Sequence, residues 1–170
     1  DEMELTVETA ARLLAYQHAR RERALRDEVG RFYQALGYEL DLRSIVNGRT
    51  ALTLARSGAW PANLMDAGEG MIQVLPVLTA LARAREGHRP LVCIEQPELH
   101  LHPKAQRALA DRFVEAAKQQ TPPTLLIETH SQHLMLCIQL AIVCDQLDPD
   151  QVHIYWVRQE SDGASKLERV

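Results

Sequence analysis

The chain has 170 residues, of which 46% are apolar and 25% charged, and its formal net charge is −4. That is the balance of a globular domain large enough to bury a real core. It offers no basic stripe of the kind nucleic-acid-binding domains carry, and charges or prolines interrupt every apolar run before membrane-spanning length.

The first residue is Asp1, and no signal-peptide pattern follows it. A fragment, or a chain lacking its earlier residues, is the expectation, with a cytoplasmic location and no membrane partner. Cys93, Cys137 and Cys144 form no CxxC pair and lie in apolar segments. They read as reduced, buried thiols.

In chain order, residues 1–36 predict one helix. Thr6 is placed to cap it, and Leu13, Leu14, Leu25, Val29, Phe32 and Leu36 recur at helical spacing. The charged stretch His18 to Glu28 reads as a solvated face. Gly37 ends the helix. Residues 42–46 and 50–54 predict two short strands joined by a turn at Asn47-Gly48. A loop with Gly58 and Pro61 leads to a helix over 69–85. Leu91-Val-Cys-Ile94 is a continuously apolar strand of the kind covered on both faces in a parallel sheet. Pro103 opens a helix running to about Gln119. A strand at 124–127, a helix at 132–144, a strand at 152–157 and a short strand near 166–170 complete the chain. Alternating strands and helices predict an α/β fold with a mostly parallel sheet flanked by helices, plus the N-terminal helix and a short antiparallel hairpin. The expected division is a helical segment with the hairpin over 1–62 and a second lobe over 63–170.

Three segments carry chemistry. Asp66-Ala-Gly-Glu-Gly-Met-Ile-Gln73 places two glycines before a helix, where free N–H groups and the helix dipole favour an anion. Ile94-Glu-Gln-Pro-Glu-Leu-His-Leu-His-Pro103 follows an apolar strand. An acid at such a strand tip is the Walker B arrangement, holding Mg²⁺ beside phosphates, usually through water; Glu95 takes that place. Ile127-Glu-Thr-His-Ser131 again follows an apolar strand, and His130 is placed to donate to a phosphate oxygen or orient a water.

In this order and spacing the three segments, over about residues 63–157, resemble an ABC-type ATPase head: signature motif, Walker B with its D-loop, then a switch histidine. The resemblance is closest to bacterial AAA/ABC-type ATPases, whose heads are similar to those of overcoming-lysogenization-defect nucleases and DNA-repair ATPases. It implies the C-terminal part of a P-loop NTPase head using ATP and Mg²⁺. It implies Glu95, Gln96 and His130 as the catalytic group, Glu95 as the Mg²⁺ residue, and Gly68, Glu69, Gly70 and Gln73 as nucleotide-contacting residues. Leu99 to Pro103 fall at the D-loop. Gly68 stands where a signature serine is usual, and Gln96 where a catalytic glutamate is usual. An amide cannot accept a proton from water, so slow, switch-like hydrolysis is implied, with Glu98 as a nearby carboxylate that would substitute. The resemblance also implies a homodimer or higher oligomer through the head, an effector protein as partner, and a setting in phage defence or DNA-related processes. Nucleic acid is left open as a partner.

No Gly-x-x-x-x-Gly-Lys-Ser/Thr occurs in the chain. The P-loop lobe is therefore expected to be absent from this chain, which as given is not expected to bind ATP tightly. Two alternatives stand beside the ATPase head. One is a non-hydrolysing interaction or regulatory module. The other is a metal-dependent hydrolase drawing on His100, His102, His130 and His133 with Glu95, Glu98 and Glu128.

Overall fold

A computed structural model describes residues 6–19, 24–44, 50–84 and 91–170. Two helices, α1 (Val7–Ala19) and α2 (Ala24–Ala35), stand where the sequence predicts one. Residues 20–23, within the charged stretch, lie outside the described residues. The Thr6 hydroxyl accepts the Thr9 N–H at 3.2 Å, as its capping place predicts. At the end of α2 the Tyr38 N–H donates to the Tyr33 carbonyl and the Gly37 N–H to that of Gln34, both at 2.9 Å. With Gly37 at φ +86° this is a Schellman stop.

The predicted hairpin is β1 (Glu39–Ser44) against β2 (Thr50–Ala55), antiparallel with Leu42 opposite Leu52. Its Asn47-Gly48 turn lies outside the described residues. β2 pairs on its other side with β3 (Ala62–Asn63), also antiparallel. Asn63 then caps a 3₁₀ turn at Leu64–Asp66 by accepting the Met65 N–H. Buried Leu64 anchors that turn and hands the chain to the Gly68 loop.

The helix expected over 69–85 divides into α3 (Glu69–Gln73) and α4 (Leu75–Ala84). Pro76 has no N–H to offer the carbonyl four residues back, which accounts for the interruption. Then come β4 (Leu91–Glu95), α5 (Pro103–Ala117), β5 (Thr124–Glu128) and α6 (Gln132–Val143). β4 and β5 pair in parallel, from Leu91 opposite Thr124 to Glu95 opposite Glu128. Residues 152–154 precede the last ladder, in which β6 (Tyr155–Gln159) runs antiparallel to β7 (Ser165–Arg169).

The main core joins the N-terminal helices to the sheet and its flanking helices. Leu14, Val29, Phe32 and Tyr33 from α1 and α2 meet Leu75 of α4, Leu109 and Phe113 of α5, and Leu134 of α6. β4 and β5 press Val92, Ile94, Leu125 and Ile127 onto that core. Their other face departs from expectation. Leu91 is 63% and Leu126 62% exposed, and Cys93 beside them is exposed as well. The apolar run thus has one covered face and one bare face. The cysteine reading changes with it: Cys137 is buried, whereas Cys93 lies on the bare face and Cys144 just past the end of α6. Among the described residues no helix is long and apolar enough to cross a membrane.

Candidate functional site

The site is built at the carboxyl ends of β4 and β5, where a parallel sheet leaves its loops free to hold ligands. Glu95 and Glu128 are the last residues of their strands and are paired in register. Partners in a parallel ladder point to the same side, with strands about 4.8 Å apart. The two carboxylates therefore stand side by side, on the face that also carries Leu91, Cys93 and Leu126. The ATPase-head resemblance assigns no role to Glu128, which the sequence offers only as a ligand in the metal-hydrolase alternative. The signal was present, since both strands end in Ile-Glu.

Directly after β4 the backbone turns sharply. Gln96 has φ +44° and His100 φ +59°, conformations that cost a non-glycine residue about 1 kcal/mol each. Hydrogen bonds hold the turn: Gln96 N–H to the Glu128 carbonyl at 2.9 Å, Leu99 N–H to Gln96 at 3.0 Å, and Leu101 N–H to Glu98 at 2.9 Å. Pro97 and Leu101 are buried and pin the turn, whereas Leu99 is half exposed. His102 caps α5 by accepting the Lys104 N–H on Nδ1 at 3.2 Å, and Pro103 follows at the first helical position.

His130 follows β5 by two residues, with its imidazole largely exposed and Nε2 3.8 Å from Glu128 Oε1. Its backbone N–H donates to Glu98 Oε1 at 3.0 Å. Ser131 caps α6 by accepting the Leu134 N–H at 3.0 Å.

The glycine segment reaches the site from the other side. Gly68, exposed, precedes α3 with φ +101° and ψ 151°. Any side chain there would be strained, a physical reason for glycine at a place where serine is usual. Gly70 is buried. A Cβ on it would overlap the His100 carbonyl oxygen and lie 2.8 Å from the carbonyl carbon. The two segments therefore touch backbone to backbone. Glu69 accepts a hydrogen bond from Gln73 at 2.8 Å and lies 3.8 Å from His100 Nε2. From beneath, the Tyr33 hydroxyl donates to the Met71 carbonyl at 2.8 Å, tying α2 to α3. Burial pushes the Tyr33 phenol well above the ordinary tyrosine range.

Gln73 and Val77 line a cleft of about 270 Å³ with Glu95, Gln96, Pro97 and Leu99. Gln73 is thus brought to Glu95 and Gln96. Gly68, Glu69, Gly70 and His130 border this region but do not line the cleft. The His/Glu cluster does not gather: His102 is engaged as a cap and His133 Nε2 meets the Pro103 carbonyl at 3.1 Å. Among the described residues no three His, Cys, Asp or Glu side chains stand close enough to hold one ion.

The fold is that of SMC ATPase heads. It matches, at 17% identity and TM-score 0.65, a chain from work on ATP-driven dimerization and DNA-stimulated activation of SMC ATPases, covering 92% of this chain and 89% of that one. The Smc head domain with an extended coiled coil from Pyrococcus furiosus, bound to the C-terminal domain of ScpA, matches at 15% identity and TM-score 0.62, over 94% of this chain. The SMC head domain from Thermotoga maritima matches at 13% and 0.57, over 92%. The chain spans 38% of the Pyrococcus structure and 51% of the Thermotoga one. No curated protein sequence matches it. Fold and family together define the class as a nucleotide-binding ATPase domain. Residues 11–136 match the family described as "AAA domain, putative AbiEii toxin, Type IV TA system", and the chain belongs to it.

Proposed function

We propose that the chain is the signature, Walker B and switch-histidine part of an ATP-hydrolysing head. In this reading the head works as a slow switch at the interface between two heads. The observation that carries it is the in-register pair Glu95 and Glu128 at the ends of parallel strands, with Gln96 and His130 in the loops that follow. The donor set fits Mg²⁺: two adjacent carboxylates offer the oxygen ligands a hard cation prefers. When bound, Mg²⁺ supplies charge neutralisation at phosphate oxygens. Glu95 and Glu128 would hold it, the Gln96 amide would orient water without accepting its proton, and His130 would donate toward phosphate. Gly68, Glu69, Gly70 and Gln73 contact the nucleotide held by the opposite head.

A phosphate-cradling loop has to come from elsewhere, because the chain has none. The bare β4–β5 face is where a lobe carrying it packs. The ATP-driven dimerization of SMC ATPases and the toxin–antitoxin association of the family support a dimeric head serving an effector, in phage defence or a DNA-related process. The test is ATP turnover by the protein completed with a P-loop lobe. Glu95→Ala and His130→Ala are each expected to lower kcat by about 100-fold, the scale of losing one transition-state contact. Wild-type turnover in both would remove the assignment. Alternatively the chain binds nucleotide without hydrolysing it, which Gln96 favours; tight ATP binding with no turnover by the completed wild type would select that function.

A further inference from the structure

The loops after β4 and β5 are fastened together by side chains that the proposed chemistry does not use. Glu98 lies in the turn after β4, and its Oε1 accepts the His130 backbone N–H from the next loop. Its Oε2 is buried and takes no hydrogen bond among the described residues. Gln106, in the first turns of α5, makes a second tie. Its Nε2 donates to the Leu101 carbonyl at 2.9 Å, and its Oε1 accepts the Ser131 hydroxyl at 2.7 Å.

A carboxylate accepting a backbone N–H makes a charge-assisted bond, roughly twice as strong as a neutral one. Burying carboxylate oxygens is costly, so a charge at this place is an expensive way to close a turn unless the bond it makes is needed. With one oxygen engaged and the other buried, Glu98 does not line the cleft that Gln96 lines. That argues for holding the loops rather than standing in for the missing base. We infer that Glu98 is a positioning residue: it fixes the backbone at His130 against the turn that carries Gln96, and Gln106 secures the same two loops through Leu101 and Ser131. For its effect on turnover the inference rests on the ATPase-head reading above; the tie itself does not.

The experiment is amide exchange at His130, followed by NMR on the intact protein, alongside ATP turnover by the protein completed with a P-loop lobe. Glu98→Ala is expected to speed exchange at His130 by about tenfold or more, and Glu98→Gln, which keeps an acceptor oxygen, by about threefold. Protection in α5 and α6 should be unchanged. Turnover should show kcat down by about tenfold in Glu98→Ala with KM for ATP within about twofold, and recovered in part by Glu98→Gln. Wild-type exchange at His130 in Glu98→Ala overturns the inference, as does a raised KM with unchanged kcat. Should the alanine variant unfold, Glu98→Gln decides alone: faster exchange at His130 supports the tie, and the wild-type rate overturns it. If the wild-type protein does not turn over ATP, the ATPase reading fails while the exchange result still decides the tie.

Discussion

Gly70→Ala puts a single methyl group where the glycine segment meets the turn after β4. The new Cβ would overlap the His100 carbonyl oxygen, sit 2.8 Å from its carbon and 3.2 Å from Leu101 Cδ2. Ordinary carbon contacts begin near 3.5 Å, so the His100 backbone has to retreat by more than about 0.5 Å. It has little room, because His100 is already in a left-handed conformation and the next residue is buried. Forced overpacking of this kind costs about 1–3 kcal/mol, against which alanine returns somewhat under 1 kcal/mol of helix propensity. In a domain of this size the net loss lowers Tm by about 2–8 °C. The matched control is Gly30→Ala in α2, where a Cβ meets nothing within 4 Å and no unusual φ is needed; it should raise stability by about 0.5–1 kcal/mol. Thermal and urea unfolding of both variants read the difference directly. Equal gains for the two would show that the Gly70–His100 contact imposes no constraint.

Gln96→Glu supplies the missing proton acceptor and should raise kcat of the completed head by about 100-fold, the lower scale of general-base catalysis; steady-state turnover checks it, and no increase counts against slow hydrolysis being caused by the amide. Tyr33→Phe loses the bond to the Met71 carbonyl and should cost about 1 kcal/mol at neutral pH, read by urea unfolding. The phenol ionises near pH 10 in the unfolded chain but higher when folded, so the wild type should lose stability as pH rises above about 10. The phenylalanine variant should lack that part of the decline. A native thiol titration should find two fast cysteines, Cys93 and Cys144, and one slow, Cys137; three equal rates would contradict the burial.

Where local chemistry decides, the sequence is a good guide. Thr6 and Gly37 mark helix ends because their own side chain, or its absence, makes the cap. Pro103 starts α5 for the same reason. The strand ends bearing Glu95 and Glu128 are legible from apolar runs that stop in acid. What involves partners distant in sequence is not. The apolar run Leu91–Ile94 cannot tell one covered face from two, since that depends on what packs outside the strand. Gly70 looks like an anion-loop glycine until His100, thirty residues later, is found against it. The sequence shows Glu98 only as a nearby carboxylate, and not that the His130 N–H bonds its Oε1. The interruption before α4 was within reach, because Pro76 is visible, but proline early in a helix is often tolerated.

The bare face of β4 and β5 has a consequence for the life of the protein in a cell. Two leucines and a thiol lie open on a parallel strand pair, a surface that chaperones hold and proteases sample. On that ground a copy whose face stays uncovered should be cleared sooner than one whose face is covered. The amount of this chain that accumulates should therefore follow the supply of whatever closes that face, more closely than its own rate of synthesis.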